Sequence, residues 1–328
     1  MSVAALPKVE LHLHHEGAAP PAFIRQLAHE KKIDLSRIFR ADGTYEFRDF
    51  AHFLSVYDAA CEVLQSPEDF RRLTLAILEE SAANSVVYTE TFVSPDFCGG
   101  GDLAAWREYV HAIHEAGDEA ERKFGITMRS VVTCIRHRGP DLARDSAKCA
   151  AETAGDQVVG FGMGGNEGMG KQGDFAWSFD CAREAGLRLT THAGEFGGPD
   201  SVRDAVRDLG VERLGHGVRA IEDPDLVKEL ADREIVLEVC PGSNVVLGLY
   251  PEIAAHPIQR LRDAGVKVTV STDDPPFFHT TMAREYEMLN AAFGWEEADF
   301  AEINKTALAA AFCDEDTRAR VAKRLETS

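Results

Sequence analysis

The stretch Val9–Gly17, which reads VELHLHHEG, is the part of the sequence from which the fold is most easily inferred. Apolar and polar residues alternate from Val9 to His14, and this period of two predicts a β-strand. Side chains two positions apart on a strand share a face, so His12 and His14 project together. Two neighbouring imidazoles suit a divalent metal, and nitrogen ligands favour zinc among the common ions. The alternative is a pair of polar residues on a solvent-exposed strand face.

Length, composition and charge narrow the class of protein. A chain of 328 residues is long for an ordinary domain but within the range of a (β/α)8 barrel, and its hydrophobic content of 45% supports a large core. The formal net charge of −20 argues against nucleic acid or an anionic membrane surface as a partner. No apolar run approaches the ~18 residues that a membrane span needs. We therefore expect a small neutral or cationic substrate.

The cysteines and the first residues indicate the compartment. Seven cysteines are scattered along the chain, and none of them forms a Cys-x-x-Cys pair. This usage is typical of reduced thiols and not of a disulfide framework or a thiolate zinc site. The segment Met1–Glu10 lacks the basic and apolar regions of a signal peptide. The sequence predicts a cytoplasmic protein.

Strand-like and helical patterns alternate along the whole chain. Eight β-rich stretches are recognised: Val9–His14, Val86–Val93, Thr127–Cys134, Val158–Met163, Arg188–His192, Arg213–Gly215, Ile235–Val239 and Lys267–Ser271. Just before four of them stands a glycine that can cap the preceding helix: Gly125, Gly186, Gly210 and Gly265. Alternation of this kind predicts a parallel sheet, and eight units favour an α/β (β/α)8 TIM barrel. The glycine-rich stretch Gly160–Gly170 has no helix directly after it and is only weakly similar to a dinucleotide-binding loop.

One connection departs from this rhythm. Between the first and second strands lie roughly 70 residues with helical patterns, and the last of these patterns predicts a helix over Phe70–Ala83. This connection is far longer than an ordinary loop. We predict a helical insertion over about residues 20–84, placed as a lid over one end of the barrel. Because no linker or low-complexity segment interrupts the chain, residues 1–328 are expected to form a single domain.

The polar residues fall where such a barrel carries its chemistry, at the carboxyl ends of the strands. His192 ends the fifth strand and Asp273 follows the eighth, so they meet His12 and His14 at one rim. These four residues form a plausible first shell for zinc, with an open position where bound water acquires a pKa near neutrality. Binuclear hydrolase barrels carry a carboxylated lysine on strand four, but Val158–Gly165 contains no lysine. We therefore predict one zinc ion per chain.

Three further residues at this rim can handle protons or bind substrate. A buried Glu195 could give a proton to a ring nitrogen, whereas the alternative is a solvated loop carboxylate. His216 could orient or deprotonate the attacking water, or it could be a core histidine. Asp274, next to a ligand, could hold a proton or pair with a substrate nitrogen. The remaining histidines considered are assigned to the surface or the core: His15, His52, His111, His114, His137, His256 and His279.

These motifs resemble the adenosine deaminase family of the amidohydrolase superfamily, over nearly the whole chain. The matching segments occur in the family's order: Pro7–His14 with Glu16-Gly17, His192–Glu195, Gly215–Gly217, Cys240–Asn244 and Ser271–Pro275. The resemblance implies zinc held by His12, His14, His192 and Asp273, and hydrolytic removal of the 6-amino group of a purine. It further implies that Glu195 protonates N1, His216 handles the attacking water, and Asp274 pairs with N7. It places His14, Glu16, Gly165 and Asp274 against the substrate, with the Gly165 backbone N–H directed to N3.

The choice among purines rests on a few departures from the family pattern. His15-Glu16 and Gly162 stand where nucleoside-specific members often carry aspartate. However, Phe196-Gly197-Gly198 replaces the second glutamate that free-base deaminases tend to have, and Cys240–Gly248 looks nucleoside-like. The expected activity is deamination of adenosine, and of 2'-deoxyadenosine, to inosine and ammonia.

Other activities stay open at this point. The first alternative is a deaminase of adenine or of a modified 6-aminopurine, and the second is a mononuclear amidohydrolase that acts on another C–N or ester bond. A third is a zinc-holding binding protein without activity, although the presence of both Glu195 and His216 argues against it. AMP is disfavoured because no basic cluster for a phosphate is found.

Overall fold

Eight parallel strands form a ring in the computed structural model, which describes residues 2–326. The strands are β1 (Lys8–His14), β2 (Val86–Val93), β3 (Thr127–Ile135), β4 (Val158–Gly164), β5 (Arg188–Ala193), β6 (Arg213–His216), β7 (Val236–Val239) and β8 (Lys267–Val270). Each strand pairs with the next one along the chain, and a parallel bridge between Leu13 and Asp273 joins the last strand region to the first. The predicted (β/α)8 barrel is confirmed, and each predicted strand end lies within one residue of the observed one.

Helices follow the strands and surround the ring. They are α1 (Pro21–Lys31), α2 (Phe50–Cys61), α3 (Pro67–Ala83), α4 (Leu103–Phe124), α5 (Pro140–Glu152), α6 (Ala176–Glu184), α7 (Pro199–Asp204), α8 (Pro224–Asp232), α9 (Pro241–Val246), α10 (Ile258–Asp263), α11 (Met282–Phe293), α12 (Glu297–Ala310) and α13 (Glu315–Glu326). A π-helical turn, Ala205–Leu209, continues α7. Single 3₁₀ turns occur at Val3–Ala5, Ser36–Ile38, Arg136–Arg138, Gln172–Phe175, Val218–Glu222 and Ile253–Ala255. None of the helices within residues 2–326 is long and apolar enough to cross a membrane.

The connection from β1 to β2 contains α1, α2 and α3, where the helical insertion is predicted. Helix α3 begins at Pro67, three residues before the predicted start at Phe70. The reason is local, because the Ser66 side chain accepts a hydrogen bond from the Asp69 N–H and caps the helix. Proline suits the first turn of a helix, where its missing N–H would have no partner. Whether the insertion moves as a lid stays a prediction.

Aromatic packing seats the insertion on the carboxyl end of the barrel. The Tyr45 ring stacks on Phe277, which follows β8, with centroids 4.0 Å apart. Phe53 of α2 contacts the rings of both Phe277 and Phe278. On the other side, the buried His15 side chain, directly after β1, contacts the Thr74 hydroxyl of α3 at 2.9 Å. The insertion is thereby tied to two strand ends and covers the rim where the polar residues converge.

Candidate active site

Four side chains with metal-ligating atoms meet at the carboxyl ends of β1, β5 and β8. The Nε2 atom of His14 lies 3.1 Å from Nε2 of His192 and 3.2 Å from Oδ1 of Asp273. The Nε2 atom of His12 lies 3.4 Å from the same carboxylate oxygen. The structure therefore brings together all four residues that the sequence nominates as ligands.

The spacing and burial of these atoms fit a zinc ion. Ligands about 2.0–2.1 Å from a tetrahedral zinc ion lie roughly 3.3–3.4 Å from one another, close to the separations found here. His12 Nε2 is buried and has no hydrogen-bond partner within the described chain. A buried polar atom without a partner is costly unless a further group, such as a metal, satisfies it. Three nitrogens and one carboxylate oxygen form a donor set that zinc accepts.

Two of the imidazoles are oriented by a second buried group. His192 Nδ1 lies 2.8 Å from the carbonyl oxygen of Met163, so the Nδ1–H donates to it and Nε2 is left for the metal. His12 Nδ1 lies 2.8 Å from Oε2 of Glu238 on β7, with the same consequence. Sequence reasoning missed Glu238. The available signal was an acidic residue within the apolar stretch Ile235–Val239, which must be paired if that strand is buried.

The Glu238 carboxylate belongs to a buried ionic network. Its Oε1 atom accepts hydrogen bonds from Nε of Arg213 at 2.6 Å and from the Thr190 hydroxyl at 2.9 Å. Arg213 also pairs with Glu90 at 2.7 Å, and all of these side chains are almost completely buried. The positive charge of Arg213 helps to keep the pKa of Glu238 low despite its burial. Glu238 is therefore available as an anion beneath His12.

Backbone geometry at the strand ends is adapted to the site. A Cβ atom at Gly215 would lie 2.8 Å from Cε1 of His12 and 3.2 Å from Nδ1 of His192, so only glycine leaves room for both rings. His216 and Asp273 have φ values of 61° and 68°, in the left-handed region that side chains seldom adopt. Such conformations persist where the surroundings enforce them, and they concentrate at functional sites.

Glu195 lies buried beside the metal-ligand cluster. Burial raises the pKa of its carboxyl well above the usual value, and the negative charges of Asp273 and Glu167 raise it further. Its Oε2 atom is 3.7 Å from Nε2 of His216. Burial lowers the pKa of His216 to about 4, so this imidazole is neutral near pH 7. The pair thus consists of a proton-bearing carboxyl group and a neutral imidazole.

A second carboxylate, Glu167, holds the loop that carries Glu195. Its oxygens accept four backbone N–H groups and one hydroxyl, at distances of 2.6–3.0 Å, from Gly194, Glu195, Phe196, Gly197 and Ser201. These donors keep the pKa of Glu167 low although the group is buried. Glu167 stands in the stretch Gly164–Glu167, but its function was not recognised from the sequence because its partners lie about thirty residues further along the chain.

Asp274 lines the cavity and has one carboxyl oxygen without a hydrogen-bond partner within the described chain. Burial, followed by the charges of Asp273 and Glu195, raises the pKa of Asp274 well above its usual value. Its Oδ1 atom is buried without a hydrogen-bond partner within the described chain. These effects favour the protonated form of the carboxyl group, which can donate a hydrogen bond to a ring nitrogen.

The cavity above these residues is bounded on its far side by the helical insertion. It contains about 710 Å³ of empty space, counted out to its mouth, and Gly165 lines it beside the strand ends. Much of the far wall is apolar and comes from α2: Phe50, Phe53, Leu54 and Tyr57. His137 also lines the cavity, and its Nδ1 atom lies 3.2 Å from the backbone nitrogen of Asn166. Sequence reasoning gave this residue no place at the site, because it lies beyond the end of β3, which carries no recognised motif.

Glu16 lies in the same far wall, but both of its oxygens are engaged. Oε1 accepts a hydrogen bond from the Ser94 backbone N–H at 3.2 Å, and Oε2 accepts one from the Tyr57 hydroxyl at 3.3 Å. Burial raises the pKa of Glu16 to about 7. The residue therefore contributes to the wall of the cavity, and it links β1 to α2 and to the loop after β2.

Comparison with known proteins identifies the family. The family model described as adenosine deaminase matches residues 7–328. An adenine deaminase of Rhizobium leguminosarum bv. trifolii is 48% identical over 98% of this chain and 99% of its own length. An adenine deaminase of Chelativorans sp. is 46% identical, with 98% of each chain covered.

Solved structures agree with these relatives. The crystal structure of adenine deaminase from Arthrobacter aurescens superposes with a TM-score of 0.90 at 30% identity, covering 98% of both chains. An amidohydrolase from Burkholderia ambifaria, solved with bound zinc, gives a TM-score of 0.86 at 28% identity over 99% of this chain and 94% of its own. With a barrel, a rim cluster and a family match that extend over almost its entire length, the chain belongs to the adenosine deaminase family.

Proposed function

We propose that this protein is a zinc-dependent deaminase of free adenine, which it hydrolyses to hypoxanthine and ammonia. This is the alternative among the sequence-based expectations, and it replaces adenosine as the preferred substrate. The observation that carries it is the similarity to adenine deaminases, at 48% identity over 98% of the chain. A likeness of this extent includes the strand-end motifs and also the insertion that walls the cavity.

The geometry of the far wall supports the smaller substrate. A ribose hydroxyl needs a polar partner, and each oxygen of Glu16 already accepts one hydrogen bond, from Ser94 or Tyr57, which leaves this carboxyl group fewer acceptor sites. In the same wall Phe50, Phe53 and Leu54 are apolar, and the exposed Asp58 carboxylate pairs with Arg138 at 3.6 Å. A buried hydroxyl without a partner is penalised by about 1–3 kcal/mol, which disfavours a nucleoside in this wall.

The sequence feature that argued against adenine has a structural explanation. The replacement of a second glutamate by Phe196-Gly197-Gly198 was interpreted as a sign of a nucleoside substrate. However, a Cβ atom at Gly197 would lie 2.4 Å from Oε1 of Glu167. Glycine is therefore required at 197 for the approach of Glu167, whatever the substrate is.

The residues of the rim suit hydrolytic deamination. His12, His14, His192 and Asp273 would hold one zinc ion, which supplies Lewis acidity and activates water at neutral pH. Glu195 gives its proton to N1 of the purine, so that C6 becomes electrophilic. The C6–O bond forms and the C6–N bond breaks, and Glu195 regains one proton of the water while the other leaves with ammonia.

The remaining site residues orient the substrate and the water. Asp274 donates a hydrogen bond to N7, and the backbone N–H of Gly165 is directed to N3. His216 orients the attacking water, and His14 forms part of the floor under the purine. These assignments rest on the lining of the cavity and on the protonation of the buried carboxyl groups.

We place the activity in the cytoplasm, on a free small molecule and without nucleic acid or membrane as a partner. The seven cysteines are free thiols in the structure, and six of them are buried. Unpaired cysteines are typical of a reducing compartment. The net charge of −20 opposes binding to a polyanion.

The test is an ultraviolet and ammonia assay of the zinc-loaded protein with adenine and, separately, with adenosine. We expect stoichiometric hypoxanthine and ammonia from adenine, and loss of the activity after chelation with recovery on adding zinc. Glu195→Gln, which removes the proton donor and keeps the shape, should lower kcat by about 10²–10⁴-fold with zinc content unchanged. Turnover of adenosine alone, or Glu195→Gln at wild-type rate, would contradict the proposal.

A further inference from the structure

A chain of hydrogen bonds runs from the start of α10 through two buried side chains to His216. We propose that the Ile258 backbone N–H, acting through His256 and Asn244, places the ring proton of His216 on Nε2, the nitrogen that faces the active site. His216 then donates a hydrogen bond to the attacking water and does not remove a proton from it. The catalytic consequence rests on the proposed deamination, but the position of the proton does not.

The outer end of this chain has a fixed direction. The Ile258 N–H donates to Nδ1 of His256 at 3.2 Å, and a backbone N–H cannot accept a hydrogen bond. The Nδ1 atom of His256 must therefore carry the lone pair. Because His256 is buried, its pKa is lowered to about 3 and the ring is neutral at pH 7. A neutral imidazole has one proton, and in His256 it is on Nε2.

Asn244 continues the hydrogen-bond chain with the same order of donor and acceptor. Nε2 of His256 lies 3.1 Å from Oδ1 of Asn244, so the imidazole donates and the amide oxygen accepts. The amide nitrogen lies 3.2 Å from Nδ1 of His216 and donates to it. Turning the amide over would set its N–H₂ group against the N–H of His256, two donors facing each other in a buried site. The orientation of Asn244 is thus determined by its neighbours.

The chain of hydrogen bonds ends at His216 in the active site. Since Nδ1 of His216 accepts the hydrogen bond from Asn244, it carries no proton, and the ring proton of His216 is on Nε2. That nitrogen is 3.7 Å from Oε2 of Glu195 and 3.9 Å from Oδ2 of Asp273, so it faces two oxygen acceptors across the space where water attacks. An N–H is the favourable group beside the Asp273 carboxylate, because a lone pair on Nε2 would be repelled by its negative charge.

Proton transfer is then left to Glu195 alone. His216 keeps its proton throughout the reaction and contributes as a hydrogen-bond donor to the oxygen that attacks C6. His256 and Asn244 touch neither the water nor the purine, so they are positioning residues that act through His216. From the sequence, His216 could either orient the water or deprotonate it. The hydrogen-bond chain favours orientation of the water.

The experiment reads the tautomer directly by long-range ¹H–¹⁵N NMR on zinc-loaded protein labelled with ¹⁵N at histidine. The His216 ring is assigned from the signals that disappear in His216→Gln. In the wild type at pH 7 we expect Nε2 to give a protonated, pyrrole-type resonance and Nδ1 an unprotonated one. A proton found on Nδ1 would overturn the proposal, whether or not the protein deaminates adenine.

Asn244→Asp supplies a matched variant of the same shape. An aspartate accepts at both oxygens, so it still receives the Nε2–H of His256 but can only accept from His216. We expect the His216 proton to move to Nδ1, and kcat with adenine to fall about 100-fold because a donor to the attacking oxygen is lost. An unchanged His216 tautomer in a zinc-loaded, folded Asn244→Asp protein would show that the chain does not control it.

Discussion

The two walls of the cavity are built in different ways. On the strand-end wall, several reactive groups are fixed by directional hydrogen bonds to a second buried group, as His12 is by Glu238 and the Glu195 loop is by Glu167. The wall from the helical insertion is mostly aromatic, and rings such as Phe53 and Phe277 are held by packing at a centroid distance of 5.3 Å. Directional hydrogen bonds fix the position of a side chain and also which of its atoms carries the proton. Packing between rings fixes only the shape of the cavity.

This difference explains why the chemistry is easier to infer than the substrate. Residues that need particular protons and lone pairs can be replaced only by the same residue type, so they appear as motifs. Apolar wall residues can exchange with others of similar volume at little cost. We therefore expect substitutions on the strand-end wall to affect zinc and kcat, and those on the far wall to affect substrate affinity.

The largest effect is expected from Glu238→Gln. To keep its bond from Arg213, the new amide must place its oxygen there and its nitrogen against Nδ1 of His12. The His12 proton then moves to Nε2, the atom that should bind the metal. We predict a loss of zinc affinity of about 10–100-fold, measured by competition with a chelator.

Thr190→Val is the matched control for this experiment, because it removes another hydrogen bond to Glu238 but leaves the carboxylate in place. It should retain zinc affinity within about 3-fold, since a single neutral hydrogen bond contributes only about 0.5–1.5 kcal/mol. Equal losses of zinc in both variants would mean that general destabilisation, and not the His12 tautomer, is responsible.

An intermediate effect is expected from Glu167→Gln. In either orientation, the amide nitrogen would face at least one of the backbone N–H groups that the carboxylate now accepts. The loop should loosen and displace Glu195, which lowers kcat by about 10-fold or more, because an error of 1 Å in the position of a reacting group can decrease the rate about 100-fold. Amide hydrogen exchange of residues 194–197 should accelerate. Unchanged amide exchange would show that Glu167 does not hold this loop in place.

The smallest effect is expected on the far wall, from Tyr57→Phe. The substitution keeps the ring in the cavity and removes only the hydroxyl that donates to Glu16. Stability should fall by about 1 kcal/mol in urea unfolding, and KM for adenine should change less than about 3-fold with kcat retained.

Tyr45→Phe is a suitable comparison, because it removes a buried hydroxyl that donates to the Ala19 carbonyl in the same insertion, at 3.0 Å. The two variants should lose similar stability. If Tyr57→Phe, and not Tyr45→Phe, lost as much kcat as Glu167→Gln, the two walls would not differ in function as proposed.

The barrel and the ligand set could be predicted because both follow from local patterns. The period of two in β1 sets the direction of His12 and His14, and the rule that strand ends meet at one rim places His192 and Asp273 beside them. Helix α3 was predicted three residues short because its start depends on one side chain, that of Ser66.

The supporting groups could not be predicted in the same way. His12 and Glu238 are 226 residues apart in sequence, and only the closed ring brings them together. The proposed change of substrate from adenosine to adenine has a related basis, since the hydroxyl that donates to Glu16 is that of Tyr57, 41 residues away on another element. His256 was assigned to the core, where it does lie, but its hydrogen bond to Asn244 is a property of the assembled fold.

The most direct measurement is a competition in which zinc-loaded protein acts on an equimolar mixture of adenine and adenosine, with hypoxanthine and inosine followed by chromatography. The initial rates give the ratio of the two kcat/KM values without separate assays. We predict a preference for adenine of about 100-fold or more, because the polar groups Glu16 and Asp58 of the far wall already have partners within the protein. Inosine formed as fast as hypoxanthine, or faster, would contradict it.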